Sequence, residues 1–116
     1  MNEKLELAAK TLYSKKATDI VALDVRDMTV ITDYMLIAAG RNAIQVRALA
    51  EEVEDRMAEA GFSPIRKEGQ QDGRWAVLDY GEVLVHVFHT EEREFYRLDK
   101  LWETADNRIP LNFEEE

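Results

Sequence analysis

The stretch from Arg74 to His89, RWAVLDYGEVLVHVFH, constrains the fold more than any other part of this chain. It predicts two short strands folded back at a tight turn, because Gly81 supplies the permissive backbone that such a turn needs and Asp79 is a favourable turn residue beside it. We expect a two-residue loop, either Tyr80-Gly81 or Gly81-Glu82; a three-residue loop would reverse the facing of the second strand. A hairpin of this kind makes the sheet at least partly antiparallel.

The two strands of this hairpin present two faces of different chemistry, because side chains alternate across a strand. One face carries hydrocarbon only, and we predict that it packs against helices. The other face mixes aromatic, polar and aliphatic side chains, which suits a contact surface better than a dry core. The hydrocarbon face holds Ala76, Leu78, Val83, Val85 and Val87, and Tyr80 falls on the same side. The mixed face holds Trp75, Val77, Asp79, Leu84, His86 and Phe88.

Hydrophobic spacing predicts three helices. The first covers residues 3–15 and can be capped by Asn2, and the second follows Asn42 and ends before Gly61. The third begins after Thr90, a good capping residue with two glutamates behind it. The apolar residues that we expect to point inward from this third helix are Phe95, Leu98, Leu101 and Trp102.

Three further β-rich runs, at residues 19–25, 34–39 and 65–68, precede the hairpin. The resulting order of elements predicts an α/β fold, a mixed five-stranded sheet with helices packed on it, over residues 1–103. We expect residues 104–116 to form an acidic, flexible C-terminal tail. Three apolar residues of this tail could still dock on the domain: Ile109, Leu111 and Phe113.

The charge of the chain limits its partners. The net charge is −9, from 15 basic and 24 acidic residues. Proteins that hold nucleic acid through its phosphates need a basic surface, so bare RNA or DNA should repel this chain. A basic protein is the partner that such a charge attracts, although many acidic domains are acidic only for solubility.

Other composition features bear on location. The chain has no cysteine, which removes disulfides and thiol catalysis and is compatible with a reducing cytosol. No apolar run approaches the roughly 20 residues of a membrane span. The N-terminal residues include acids and no long apolar block, so we expect no signal peptide and no membrane association. We expect a cytoplasmic protein.

The search for catalytic chemistry finds no convincing constellation. His86 and His89 point to opposite faces of a strand, so they cannot chelate one metal without help. The Gly40 junction opens a helix, but it lacks the glycine-lysine pattern of a phosphate-binding loop. Asp19 and Asp24 are too far apart to hold magnesium for nucleotidyl transfer. We therefore expect no enzyme activity, metal or cofactor, and keep a nucleotidyltransferase-like protein or enzyme as the alternative.

Trp75 and Tyr80 are the most informative aromatic residues. Each could pack in the core, which is the common role of a large aromatic side chain. Each could instead anchor an interface, because tryptophan and tyrosine are enriched among the residues that contribute most to binding. The residues alone leave both interpretations open.

Several stretches of the chain together resemble one protein family. The pattern DYG-x-V-x-V-H-x-F, followed by E-x-R-x-F-Y-x-L-x-x-L-W, is similar to that of the ribosomal silencing factors, the RsfS, Iojap or YbeB family. The resemblance covers residues 3–103. The stretches that carry it are DIVALDV (19–25), ITDYMLIAAGRN (31–42), QVRALAEEVE (45–54), EG and WAVLDYGEVLVHVFH (within 68–89) and REFYRLDKLW (93–102).

The resemblance implies a function without catalysis. Members of this family bind the large-subunit ribosomal protein number fourteen, at the intersubunit face of the large ribosomal subunit. They block joining of the small subunit and so repress translation, and they often form homodimers when free. Their fold resembles nucleotidyltransferases without the catalytic carboxylates.

The resemblance also implies which residues contact the ribosomal protein. We carry this role to the residues that match W-x-x-x-D-Y-G and to three near them. Family members often have serine or threonine after the glycine, where this chain has Arg41 and Asn42, which argues against an anion site there. The expected partner-binding residues are Trp75, Asp79, Tyr80, Glu68, His86 and Phe88.

Overall fold

Two long helices begin at the asparagine caps that the sequence predicts. The computed structural model describes residues 2–92 and 97–111, and in it helix α1 spans Glu3–Ser14 and helix α2 spans Ala43–Glu59. The side chains of Asn2 and Asn42 each accept a backbone N–H from the third residue along, at 3.1 and 2.8 Å. These local hydrogen bonds satisfy donors that a helix start leaves unpaired.

One mixed sheet forms the centre of the described chain. Its strands lie in the order β3-β4-β5-β2-β1-β6, with β2 and β5 parallel and the other neighbours antiparallel. The strands are β1 (Thr18–Asp24), β2 (Tyr34–Gly40), β3 (Arg66–Glu68), β4 (Trp75–Asp79), β5 (Val83–His89) and β6 (Arg108–Ile109).

The expected five-stranded sheet is therefore wrong by one strand. Strand β6 pairs with Ala22 and Leu23 of β1, and Ile109 and Leu111 pack against the helix-side core. A strand of two residues has no alternation that a sequence pattern can show, so its pairing was not predictable. Residues 104–111 thus lie against the domain instead of forming a separate tail, and residues 112–116 lie outside the described part.

The predicted third helix is interrupted. Residues 90–92 are helical and helix α3 spans Leu98–Trp102, but Arg97 between them has φ +51° and is not helical. A residue in the left-handed region cannot continue a right-handed helix. Leu101 is 73% exposed, contrary to the expectation that it points inward, whereas Trp102 packs against the sheet. Phe95 and the side chain of Leu98 lie outside what the structure describes.

The hairpin has the predicted two-residue loop and the predicted faces. Trp75 lies opposite Phe88 and Asp79 lies opposite Leu84, which leaves Gly81-Glu82 as the loop. Gly81 has φ +84°, a backbone conformation that suits glycine. The hydrocarbon face of the hairpin contributes to the core beneath α1 and α2, as expected: Ala76, Leu78, Val83, Val85 and Val87 are all buried there.

No helix in residues 2–92 or 97–111 combines the length and the apolar character needed to cross a bilayer. The fold is a mixed α/β domain with both long helices on one face of the sheet. Its likeness to nucleotidyltransferases, which the family resemblance implies, stays a prediction.

Candidate protein-binding surface

The face of the sheet opposite α1 and α2 is covered over one part and open over another. Over β1, β2 and the end of β5, its side chains are buried in a second apolar cluster against which Trp102 of α3 packs. Over β3, β4 and the start of β5 the side chains of this face are half-buried or exposed. We call this second part the open sheet surface, and its residues are Glu68, Trp75, Val77, Asp79 and Leu84.

Trp75 is held by two ring contacts within the sheet. Its indole N–H donates to Nδ1 of His86 at 3.1 Å. Its ring stacks on that of Phe88, with centroids 4.8 Å apart and planes 27° from parallel. The indole is half-buried, so part of it remains accessible between these supports. A rigid, partly exposed tryptophan of this kind is suited to anchor a protein contact.

Asp79 places a carboxylate on the same face of β4, at the opposite end of the strand from Trp75. Its Oδ1 accepts the backbone N–H of Gly81 at 2.9 Å, and its Oδ2 lies 3.6 Å from the guanidinium of Arg66. Its side chain is 15% exposed, whereas that of Arg66 is 68% exposed. Because the guanidinium of Arg66 is exposed, solvent screens this ion pair, and the pair contributes little to stability. Glu68, exposed on the neighbouring strand, adds a second acid.

His86 lies beneath the open sheet surface and does not reach it. It is only 5% exposed, and burial lowers its pKa from 6.5 to about 4. Its imidazole is therefore neutral at pH 7. Its Nδ1 accepts the Trp75 indole N–H, and its Nε2 has no hydrogen-bond partner in the described part of the chain.

Two more of the expected contact residues, besides His86, are buried. Tyr80 is 2% exposed and belongs to the core under the helices, where burial, and to a lesser degree the charge of Glu54, raises its pKa to about 12. Phe88 is 0% exposed and supports the indole from inside the sheet. Strand alternation puts Tyr80 on the hydrocarbon side, and the motif resemblance alone had suggested otherwise. We therefore leave both residues out of the candidate surface.

The structure brings the remaining expected residues together. Glu68, Trp75 and Asp79 lie on the same face of β3 and β4, because Glu68 pairs with Val77 at the centre of β4. Val77 and Leu84 are half-buried members of this surface that the list of expected contact residues omits. Alternation along the hairpin was the signal that could have added them.

The start of α2, where the alternative function would need a phosphate site, is closed by the chain itself. The side chains of Asn42 and Gln45 accept backbone N–H groups at this helix start. The loop at Gly73 approaches so closely that a Cβ there would lie 2.6 Å from Cβ of Ala43. In residues 2–92 and 97–111, no group of three or more His, Asp or Glu side chains could hold a metal ion.

Comparison with known proteins identifies the family of this chain. The model of the family "Ribosomal silencing factor during starvation", RsfS, matches residues 1–116. The chain is 43% identical to the ribosomal silencing factor RsfS of Bacillus subtilis over 90% of this chain and 91% of that protein. It is 32% identical to the chloroplastic protein Iojap of Zea mays over 84% of this chain and 42% of that longer protein.

Two solved structures share the fold of this chain over nearly its whole length. A crystal structure of a Bacillus halodurans protein superposes with a TM-score of 0.83 at 38% identity, covering 94% of this chain and 98% of that one. A crystal structure of a Chromobacterium violaceum protein superposes with a TM-score of 0.85 at 31% identity, covering both chains fully. The family match over the whole length and these identities establish that the chain belongs to the RsfS family of ribosomal silencing factors.

Proposed function

We propose that this chain is a noncatalytic repressor of translation that binds the large ribosomal subunit and prevents the small subunit from joining it. Membership of the ribosomal silencing factor family carries this proposal. The docking partner that we propose is ribosomal protein number fourteen of the large subunit, at the intersubunit face, with the cytoplasm as the place of action.

The open sheet surface supports a protein partner of basic character. It combines a partly exposed indole with the carboxylates of Asp79 and Glu68 on a chain of net charge −9. Ribosomal proteins are basic as a class, so long-range attraction would speed their encounter with this chain. The same charge opposes direct docking on rRNA, whose phosphates would repel it.

The mechanism that we propose is exclusion of volume. A body seated on the intersubunit face and the small subunit cannot occupy the same space, so binding of one penalises binding of the other. At a free concentration one hundred times its Kd, the factor would penalise subunit joining by about 2.7 kcal/mol. This mechanism needs no chemical step and no cofactor.

Sedimentation of ribosomal subunits with the purified protein tests the proposal. We expect the protein to travel with the large subunit, and coupled ribosomes to decline in favour of free subunits as its concentration rises. Travel with the small subunit, or unchanged coupling at saturating protein, would contradict it. Homodimerisation of the free protein stays a prediction, which light scattering with and without large subunits can check.

A further inference from the structure

The hydrogen bond between Trp75 and His86 fixes the protonation of the histidine as well as the orientation of the indole. Because Nδ1 of His86 accepts the indole N–H at 3.1 Å, this nitrogen must carry the lone pair. The proton of the neutral imidazole is then on Nε2. The bond therefore sets the orientation of the indole and the tautomer of the histidine together.

The same arrangement has a cost in stability. The Nε2–H group is buried and has no hydrogen-bond partner in the described part of the chain. Leaving a buried donor unpaired is unfavourable, whereas an apolar side chain of similar size would avoid that penalty. The neighbours of His86 across the sheet, Ile37 and Val77, are aliphatic and would accept such a side chain. A role in stability therefore does not account for this histidine.

The environment of the indole indicates instead that His86 orients Trp75. Phe88 supports the ring by stacking at 4.8 Å, which fixes its plane but does not distinguish the two χ2 rotamers that exchange the edges of the ring. The bond to His86 is a directional contact, and it removes that remaining freedom. It also occupies the only polar atom of the indole, so a partner would meet ring carbons and not a hydrogen-bond donor.

We propose that His86 is a positioning residue that orients Trp75 for the ribosomal partner, which then contacts the indole through its ring with an apolar or cationic side chain. This inference rests on the proposed function, because it takes the open sheet surface as the docking site. A cationic side chain suits the site, since it can lie over the face of the indole and the negative charge of the chain attracts it.

Two substitutions separate positioning from stability. In His86→Leu the acceptor is lost and the unpaired donor is removed. In His86→Asn the amide Oδ1 can occupy the place of Nδ1 and accept the indole N–H. We expect the Leu variant to unfold at equal or higher denaturant concentration than wild type, yet to bind purified large ribosomal subunits about tenfold more weakly. We expect the Asn variant to be less stable but to bind within about threefold of wild type.

A spectroscopic signal reports the positioning directly in the free protein. The indole N–H resonance of Trp75, assigned by its loss in Trp75→Phe, should shift and exchange faster with water in His86→Leu and return towards the wild-type signal in His86→Asn. An unchanged indole resonance in His86→Leu, or wild-type affinity of that variant for large subunits, would overturn the inference. If wild type itself fails to bind large subunits, the proposed function is wrong instead, so the two failures are distinguishable.

Discussion

The carboxylate of Asp79 accepts the backbone N–H of Gly81 at 2.9 Å, which ties the open sheet surface to the turn of the hairpin. The same side chain stabilises the turn at Gly81, with φ +84°, and supplies negative charge on the face of β4 that also carries Trp75. Under the proposed function, Asp79 would serve both local folding and partner recognition. Substitutions that keep the hydrogen bond but remove the charge can separate the two roles.

Asp79→Asn should separate the folding role of Asp79 from its role in binding, because the amide oxygen can still accept the Gly81 N–H while the charge is gone. We expect its free energy of unfolding to stay within about 0.5 kcal/mol of wild type. Its affinity for large subunits should fall and depend less on salt. Asp79→Ala, which loses the turn hydrogen bond too, should be about 1 kcal/mol less stable. Denaturant unfolding and sedimentation binding at two salt concentrations measure these effects.

The matched control is Asp55→Asn, which removes the same charge from the exposed side of α2. If Asp55→Asn weakens binding as much as Asp79→Asn, then overall charge and not the open sheet surface is responsible.

Trp75→Ala should weaken binding to large subunits by more than about 1 kcal/mol, because it removes the aromatic anchor of the surface. Cooperative unfolding should be retained, since the indole is only half-buried and the core under the helices is untouched. Ile44→Ala is the control, because Ile44 is 71% exposed at the start of α2 on the other side of the sheet. A well-folded Trp75→Ala protein with wild-type affinity would reject the indole as an anchor.

The buried His86 predicts how stability depends on pH. Its folded pKa is about 4 against 6.5 for the free side chain, so between these values the unfolded chain binds the extra proton. Stability should therefore rise from pH 4 to pH 6.5, by up to about 3 kcal/mol from this group, and its contribution should then level off. Unfolding free energies measured across this range would show the rise.

His86→Leu should lose this part of the pH dependence, while substitution of the half-buried His89 by glutamine should keep it. The difference between wild type and His86→Leu isolates the histidine from the carboxylates that also titrate near pH 4. Parallel curves for these two proteins would show that His86 is not held neutral in the folded state.

Asn107 should be a main support of the C-terminal segment. Its Nδ2 donates to the carbonyl oxygens of Asp24 and Trp102 at 3.0 and 2.9 Å, and its Oδ1 accepts the N–H of Thr104 at 2.7 Å. Asn107→Ala should lower the free energy of unfolding by about 2 kcal/mol and speed hydrogen exchange in β6. Asp106→Ala, at an exposed position, should change the free energy of unfolding and the hydrogen exchange in β6 far less. Equal effects of the two substitutions would contradict the supporting role of Asn107.

The parts of the fold that were predictable depend on contacts close in sequence. Asn2 and Asn42 cap their helices through hydrogen bonds that span three residues. The hairpin follows from alternation and one glycine. Strand β6 was missed, because its pairing with β1 joins residues far apart in the chain. The break at the left-handed Arg97 was missed as well.

The candidate site was predictable only in part for the same reason. Alternation correctly assigned Trp75 and Asp79 to one face, and it also placed Tyr80 on the opposite face, where the structure buries it. No sequence pattern could indicate that the indole N–H of Trp75 finds Nδ1 of His86, because that contact needs both the register of the hairpin and the rotamers that the packed face allows.

The sequence by itself determined the helices with capped starts, the hairpin and the division of its side chains into a hydrocarbon face and a mixed face. Only the tertiary structure decided which part of the mixed face stays open. Trp102 and the second apolar cluster cover the part over β1 and β2, whereas β3 and β4 keep Trp75 and Asp79 within reach of a partner. Alternation fixes the direction of a side chain, but exposure depends on what packs over it, and that is set by residues distant in the chain.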